Sequence, residues 1–527
     1  MKKSLQQIIN IDKFFHEKST INFVFVLFIT LHLFLLNINF AEWGDSYRIL
    51  RASEYLRSFD YPSDEKRPPL YSLLLSIRPS VVDPIIWGKI LMLLISTLTF
   101  ILFTKIASEF FSNNYYKTNL ASLFLALNPV FLYWSLRIYA DVFFALIVLL
   151  ATLVYIKRYK RVNSYLNIFI LGFITSLGIV TRFEGFILFG ALGIGITFSE
   201  GFVNLTYQIR ENLGKVLSYA LTVVLMIFPY FIWRNPFTSS YLSEPSGRVF
   251  GVNEIVIFFA SVAFCGGSIL YFIFISQSIN TIKKFLVENT FIGSYLLFIL
   301  ILSLLWPAAI PRLLVSAIPF GILLFVVQYT SVLEFTKKQV IIVSSLLIGF
   351  YILVQYKYKL QFLLPSKQLM VIVILMGLLS LLAYLLRNKN LLLLSFILSM
   401  FVWSLTVVYL HKDIFKVVTL GAKFAGRGLD GVVAYNDISA VSDWYLNNDP
   451  LRNPKVSGKF LPYYKKSDAS LSNLRAIGSD YLLITNEHNL SMTFDDSDKP
   501  YLEKVAEYTE TVNGGSFFTK VYKVKYN

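Results

Sequence analysis

The chain has 527 residues, of which 56% are hydrophobic and 15% charged, with a mean hydropathy of +0.61 and a formal net charge of +16. Soluble globular chains carry roughly 25% charged residues, so the composition excludes a wholly soluble chain and points to a polytopic membrane protein. The basic excess does not indicate nucleic acid, because Lys and Arg fall in short clusters between apolar spans, the pattern of topology signals.

A run of about 20 apolar residues is enough to cross a bilayer. The first, Ile21 to Asn39, lacks a small-residue cleavage site and is expected to be a retained helix rather than a signal peptide. The segment after it is polar. Ile49, Ala52, Leu56 and Phe59 recur at helical spacing there, which predicts a helix lying along the membrane surface with Arg48 and Arg51 at head-group level. Asp45, directly after Gly44, starts that helix. Its position suits an N-terminal cap and a catalytic carboxylate equally. Arg67-Pro68-Pro69-Leu70-Tyr71 is a stiff element, since two prolines bar a continuous helix. It reads either as an ordinary proline-initiated helix start or as a device holding a guanidinium for phosphate, whose oxygens match the planar fork of arginine.

Further spans are expected near 84–104, 118–134, 139–156, 164–180, 184–199, 215–233, 253–277, 291–306, 312–330, 339–356, 368–386 and 391–410. With the first, these make about thirteen. The pair meeting at Thr181-Arg182-Phe183-Glu184-Gly185 is expected to form a tight hairpin. The single cysteine, Cys265, lies in an apolar run and excludes an internal disulfide. Lys/Arg clusters at the N-terminus, 105–117, 157–161, 283–284, 337–338 and 387–389 fall on alternate loops, so the N-terminus is expected in the cytoplasm. The first large loop (40–83) and the chain after His411 then share the outer face of a plasma membrane. Arg137, Arg182, Arg234 and Arg312 break that charge rule, lying at span ends on the outer side. Charge at membrane depth usually marks function, and the competing explanation is interfacial snorkelling. Asp141 and Glu184 lie near Arg137 and Arg182, and the simpler role for each is to neutralise its arginine.

After residue 410 the composition changes. Gly431–Asn436 and Tyr481–Thr485 read as buried strands and Phe517–Val524 as a third. Asp437 is placed to cap a helix reaching about Asn448, and Ser467 or Asp468 another ending at Gly478. The expectation is a membrane module (1–410) followed by a small extracytoplasmic α/β domain (411–527). The glycines of Gly426-Arg427-Gly428-Leu429-Asp430-Gly431 follow no strand, so they do not argue for a nucleotide site.

The order Gly44-Asp45-Ser46-Tyr47, basic-Pro-Pro-Leu-Tyr at 67–71, Thr181 to Gly185, Pro229-Tyr230 with Arg234-Asn235, and Arg312 to Pro319 resembles the GT-C superfamily of membrane glycosyltransferases. The likeness is greatest to the protein O-mannosyltransferase and aminoarabinose transferase branch, and covers about residues 20 to 330. It implies a polyprenyl-phosphate-linked sugar as donor and an acidic residue of the first outer loop as base, matched by Asp45. That branch often carries an Asp-Glu pair here. Ser46 follows Asp45 instead, so the second carboxylate is missing or comes from Glu42. The resemblance also implies that Arg67 contacts lipid phosphate, with Arg182, Arg312, Arg234 and Arg137 as further candidates. Some oligosaccharyltransferase-like members use a divalent ion such as Mg²⁺ or Mn²⁺, for which Asp45 and Asp141 are the matching carboxylates. The closer branch generally manages without one, so no metal is expected. The acceptor is a protein, glycolipid or surface polymer hydroxyl. The rival reading is a carrier or flippase for lipid-linked saccharide or a polar solute. It is weakened by the lack of internal repeats and by large polar regions gathered on one face.

Overall fold

The computed structural model describes residues 11–162, 164–202, 204–234, 279–305, 311–329, 389–461, 470–487, 492–497, 499–512 and 515–526, with 251, 255 and 258 singly. The spans expected near 339–356 and 368–386, nearly all of that near 253–277, Cys265, Asn235, and the caps at Ser467 or Asp468 lie outside the described residues.

Among the described residues, the α-helices of seven or more residues are α1 (Thr20–Leu35), α2 (Gly44–Arg57), α3 (Leu70–Ser76), α4 (Pro84–Phe110), α5 (Tyr115–Ala126), α6 (Pro129–Ser135), α7 (Ala140–Val154), α8 (Tyr165–Ile179), α9 (Gly185–Thr197) and α10 (Leu205–Trp233). They continue as α11 (Ile279–Glu288), α12 (Thr290–Leu305), α13 (Ile318–Tyr329), α14 (Lys389–Leu410) and α15 (Lys416–Gly428). Among the described residues, four are long and apolar enough to cross a membrane: α4, α7 with its continuation to Tyr159, α10, and α14 from Leu393. α1, α8, α9, α12 and most of α13 are shorter apolar helices.

Local chemistry sets these boundaries. Asp83 accepts from the amides of Ile85 and Ile86 and is followed by Pro84, a strong helix start for α4. The span expected over 118–134 is not one helix. Pro129 pushes Asn128 out of the helical region (ψ 126°), and Asn128 caps α6 through the amides of Val130 and Phe131. The α8–α9 hairpin is as tight as expected. A Cβ at Gly185 would lie 2.4 Å from the backbone nitrogen of Ile179, so no larger residue fits that crossing. The segment expected as a helix from 312 opens instead as a 3₁₀ turn, Pro311–Leu314, which sets Arg312 apart from α13.

Beyond α14, a five-stranded sheet runs in the order β2-β1-β3-β5-β4, with β1 (Gly431–Tyr435), β2 (Val456–Phe460), β3 (Tyr481–Thr485), β4 (Leu502–Val512) and β5 (Gly515–Val524). β1 is parallel to β2 and β3, while β5 is antiparallel to β3 and β4. Val433, Leu483 and Val521 join the core shared with the helices, whereas Ala434, Leu482, Ile484 and Tyr522 form a smaller core on the opposite face. The alternation of sheet side chains makes both cores from the same strands. β1, β3 and β5 are the expected strands; β2 and β4 are additions. Asp437 does cap, accepting from the amides of Ser439 and Ser442, although the helix begins only at Val441.

Candidate active site

Asp45 sits in the first turn of α2, where the positive end of the helix dipole favours a carboxylate. The residue preceding that helix is Trp43, in extended conformation. The Asp45 carboxylate is turned to two guanidinium groups. Its Oδ1 lies 2.5 Å from Arg67 Nη2, and its Oδ2 3.2 Å from Arg312 Nη1. The cap reading of Asp45 is therefore replaced by an ion-pair cluster built from three distant parts of the chain.

Each arginine is held from behind. Arg67 donates from Nη1 (2.9 Å) and from its backbone amide (3.0 Å) to Oε1 of the buried Glu65, and its carbonyl accepts from the Tyr61 hydroxyl at 2.9 Å. The two prolines after it end in α3, whose Leu70 amide donates to Val180 O at 3.0 Å, tying the element to the α8–α9 hairpin. Arg312 lies over the rings of Tyr139 (5.0 Å) and Trp134 (5.9 Å), a cation–π seat that fixes its plane. Asp45, Arg67 and Arg312 remain 31, 22 and 19% exposed, so the cluster is partly buried and open to solvent. Burial alone would raise the pKa of Asp45, but Arg67 and Arg312 outweigh it and hold the carboxyl well below the usual carboxylate range.

A second cluster adjoins the first. Arg182 Nη1 lies 2.9 Å from Asp141 Oδ1, and its Nε and Nη2 both donate to Glu184. Asp141 thus pairs with Arg182 and not with Arg137, its neighbour in sequence. Residue 141 opens α7, and that start faces the hairpin carrying Arg182. Arg312 is within electrostatic reach of both carboxylates.

The other candidates are placed in supporting positions. Arg137 is fully buried and donates to Ala41 O (2.7 Å), Asn39 Oδ1 (2.9 Å) and His411 O (3.0 Å). It therefore ties the start of the first loop to the end of α14. Arg234 donates to the carbonyls of Pro62, Ser63 and Glu65 and stacks on Tyr61 at 4.7 Å, bracing the turn that leads to Arg67. Glu42 is buried and its Oε2 accepts from the Ile138 amide at 3.1 Å, so its charge serves the backbone before α7.

The apolar stripe expected along α2 is divided: Phe59 at its end is fully exposed and Leu56 half-buried, but the first half of the stripe is covered by protein. Ile49 and Ala52 are buried, and Arg51 pairs with Asp64 (2.6 Å) and Asp443 (3.4 Å). α15 and the turn around Ser439 cover this helix; Tyr47 Oη approaches Thr419 Oγ1 at 3.4 Å. Three residues of the site are not apparent from sequence. Glu65 is hidden among the acids of Asp60 to Arg67, and Tyr139 and Trp134 read as ordinary apolar neighbours. Among the described residues no three His, Cys, Asp or Glu side chains converge as metal ligands. Asp45 and Asp141 are each committed to arginine, so the donor set does not suit a divalent ion.

No protein-family model matches the sequence, and comparison with curated proteins gives no match. Solved structures do match. ArnT from Cupriavidus metallidurans bound to undecaprenyl phosphate superposes with a TM-score of 0.60 at 12% identity, over 96% of this chain and 98% of that one. Its apo state gives 0.59 at 13% identity, over 94% and 97%. The Archaeoglobus fulgidus oligosaccharyltransferase tethered with an acceptor peptide containing the NVT sequon gives 0.50 at 12% identity, over 89% and 69%. These neighbours are GT-C glycosyltransferases. The chain has the GT-C fold and is a multi-pass membrane protein, with the small sheet following its helical part.

Proposed function

We propose that this protein is a membrane glycosyltransferase that takes a sugar from a polyprenyl-phosphate-linked donor and passes it to an acceptor hydroxyl, with inversion, on the extracytoplasmic face. Residues 1–410 form the transferase module and 411–527 an outer domain, with the N-terminus cytoplasmic. The observation that carries this reading is the partly exposed carboxylate of Asp45 held between Arg67 and Arg312. The fold shared with ArnT, solved with undecaprenyl phosphate, supports the choice of donor.

The acceptor oxygen forms a bond to the anomeric carbon while its proton passes to Asp45. The bond from that carbon to the phosphate oxygen breaks on the opposite side, and polyprenyl phosphate leaves. Arg67 and Arg312 stabilise the departing phosphate, with Arg182 behind them, and this electrostatic contribution is usually the largest. The two guanidinium groups also tie the base to the donor. With nothing bound, both neutralise Asp45 and keep it a weak base. A phosphate that draws their donors leaves Asp45 with less compensation and a stronger pull on a proton. The base is thus most basic when the donor is seated. Arg137, Arg234 and Glu42 hold the loop rather than touch substrate. No step is drawn through a metal.

Incorporation of labelled sugar from a polyprenyl-phosphate donor, in membranes with wild-type or Asp45→Asn protein, tests the reading. A positioned base contributes about 10²–10⁴-fold, and loss on that scale is expected. A wild-type rate in the variant ends the proposal, and solute movement without transfer assigns the protein to the carriers.

A further inference from the structure

α4 shows which of its faces meets lipid. Ile86, Ile90, Leu94, Leu98 and Ile101 are exposed along one stripe of a helix apolar enough to cross a membrane. Exposed apolar side chains also precede the helix in sequence. Before Pro84 the chain exposes Val81 (93%), Ile77 and Leu73. Beside them stands Phe59, 100% exposed.

Phe59 is brought there by specific contacts. Arg57, in the last turn of α2, donates to the carbonyls of Ser76 and Arg78, pinning the end of α2 against the end of α3. Arg78 in turn holds Glu54 through two bonds of 3.0 and 3.1 Å. Phe59 then takes a left-handed backbone (φ 58°), uncommon for a bulky side chain. A conformation of that kind is retained where the surroundings impose it. Here it turns a large apolar ring wholly outward. A soluble surface has little reason to expose Phe, Ile and Val in one patch.

We propose that the edge formed by Phe59, Leu73, Ile77 and Val81 inserts into the lipid monolayer beside α4. The occupant is lipid because the exposed apolar edge leads directly, in sequence, into a helix long and apolar enough to cross a membrane that exposes its own apolar stripe. Of the stripe that sequence periodicity placed at the membrane surface, Ile49 and Ala52 are buried in the protein and Leu56 is half-buried, so Phe59 alone remains fully exposed, and Leu73, Ile77 and Val81 complete the edge with it. The inserted edge fixes the height of the first loop, and with it that of Asp45, relative to the bilayer. The proposal stands independently of the catalytic reading.

The test uses the full-length chain in lipid nanodiscs, in a Cys265→Ser background. Phe59→Cys, Val81→Cys and Lys455→Cys are each labelled with a polarity-sensitive fluorophore; Lys455, 76% exposed on the sheet domain, is the water reference. Spin-labelled lipid is expected to quench positions 59 and 81 several-fold more than 455, and aqueous iodide to show the reverse order. Iodide quenching at 59 and 81 equal to that at 455 overturns the proposal. Protection from both quenchers overturns it too, since a protein surface then covers the edge. Photoactivatable lipid with the unsubstituted chain gives a second measurement, with adducts expected on peptides spanning 55–81. Adducts confined to the spanning helices would count against insertion.

Discussion

Asp45 and Arg312 stand 267 positions apart in the chain, and their side chains meet at 3.2 Å. The contact works through orientation as much as charge, because the Arg312 plane rests on Tyr139 and Trp134. Lysine keeps the charge but neither stacks as a plane nor presents a fork. Arg312→Lys is therefore expected to cut sugar transfer by about 10²–10³, the cost of removing one preorganised transition-state donor. Most of the loss should fall on kcat. An unchanged kcat with a raised KM would reduce Arg312 to a ground-state contact.

The same pairing fixes a pH dependence. The folded-state pKa of Asp45 is depressed, burial being outweighed by Arg67 and Arg312. A depressed carboxyl stabilises the fold above its unfolded value, and that contribution is lost as pH falls through the lower folded value. Without donor, no carboxyl titration of Asp45 is expected near its ordinary value of about 3.9. Removing one partner, as in Arg312→Ala, should bring the acid limb of kcat/KM upward toward that value. A profile unmoved by the substitution would separate the limb from Asp45.

Much of the helical part and part of the site could be read from residues alone, and the reasons differ. Asp45 and Arg67 announce themselves because a carboxylate at a helix start and an arginine before two prolines are local patterns. The TRFEG hairpin was equally local, fixed by Gly185. Partnership was not. Asp141 turns to Arg182 although Arg137 is nearer in sequence, because the fold, and not the chain, sets which helix ends face each other. The stripe of α2 misled for a related reason: apolar periodicity says that a face is covered, not by what. Its cover is the sheet domain, nearly 400 positions later. β2 and β4 escaped notice because VSGKF is short and holds a glycine. LEKVAEYTETV is rich in charge, as a hairpin strand exposed on one face can be.

Glu487 offers a stability test in the sheet domain. Its carboxyl accepts from the amide of Val418 at the start of α15, but burial raises it to about 8. Asp437 adds to the rise, against the backbone donors. A raised carboxyl stabilises fully below its unfolded value, and the contribution is lost as pH climbs through the folded one. The domain should therefore weaken between about pH 4.5 and about pH 8. Glu487→Gln keeps an acceptor oxygen without the charge. It is expected to raise Tm at pH 8 relative to wild type and to leave it unchanged, or lower it, at pH 5. Equal shifts at both values would place the effect in packing and not in ionisation.

Gly44 is the point at which the sheet domain can be shown to position the base. A Cβ there would lie 2.1 Å from Ser439 O and 2.8 Å from Ser439 Cβ. Ser439 has no room to retreat. Its amide is held by Asp437, which also holds the Ser442 amide, and Ala440 follows in a left-handed conformation (φ 66°). The strain of Gly44→Ala must then be relieved by the start of α2, carrying Asp45 with it. A shift of about 1 Å at a reacting group can cost about 10²-fold. Gly44→Ala is expected to lose kcat on that scale while the membrane helices unfold at the wild-type temperature. Because the clash is with a carbonyl, Ser439→Gly should not restore the rate. Full activity in Gly44→Ala would mean that α2 and the domain beside it move independently.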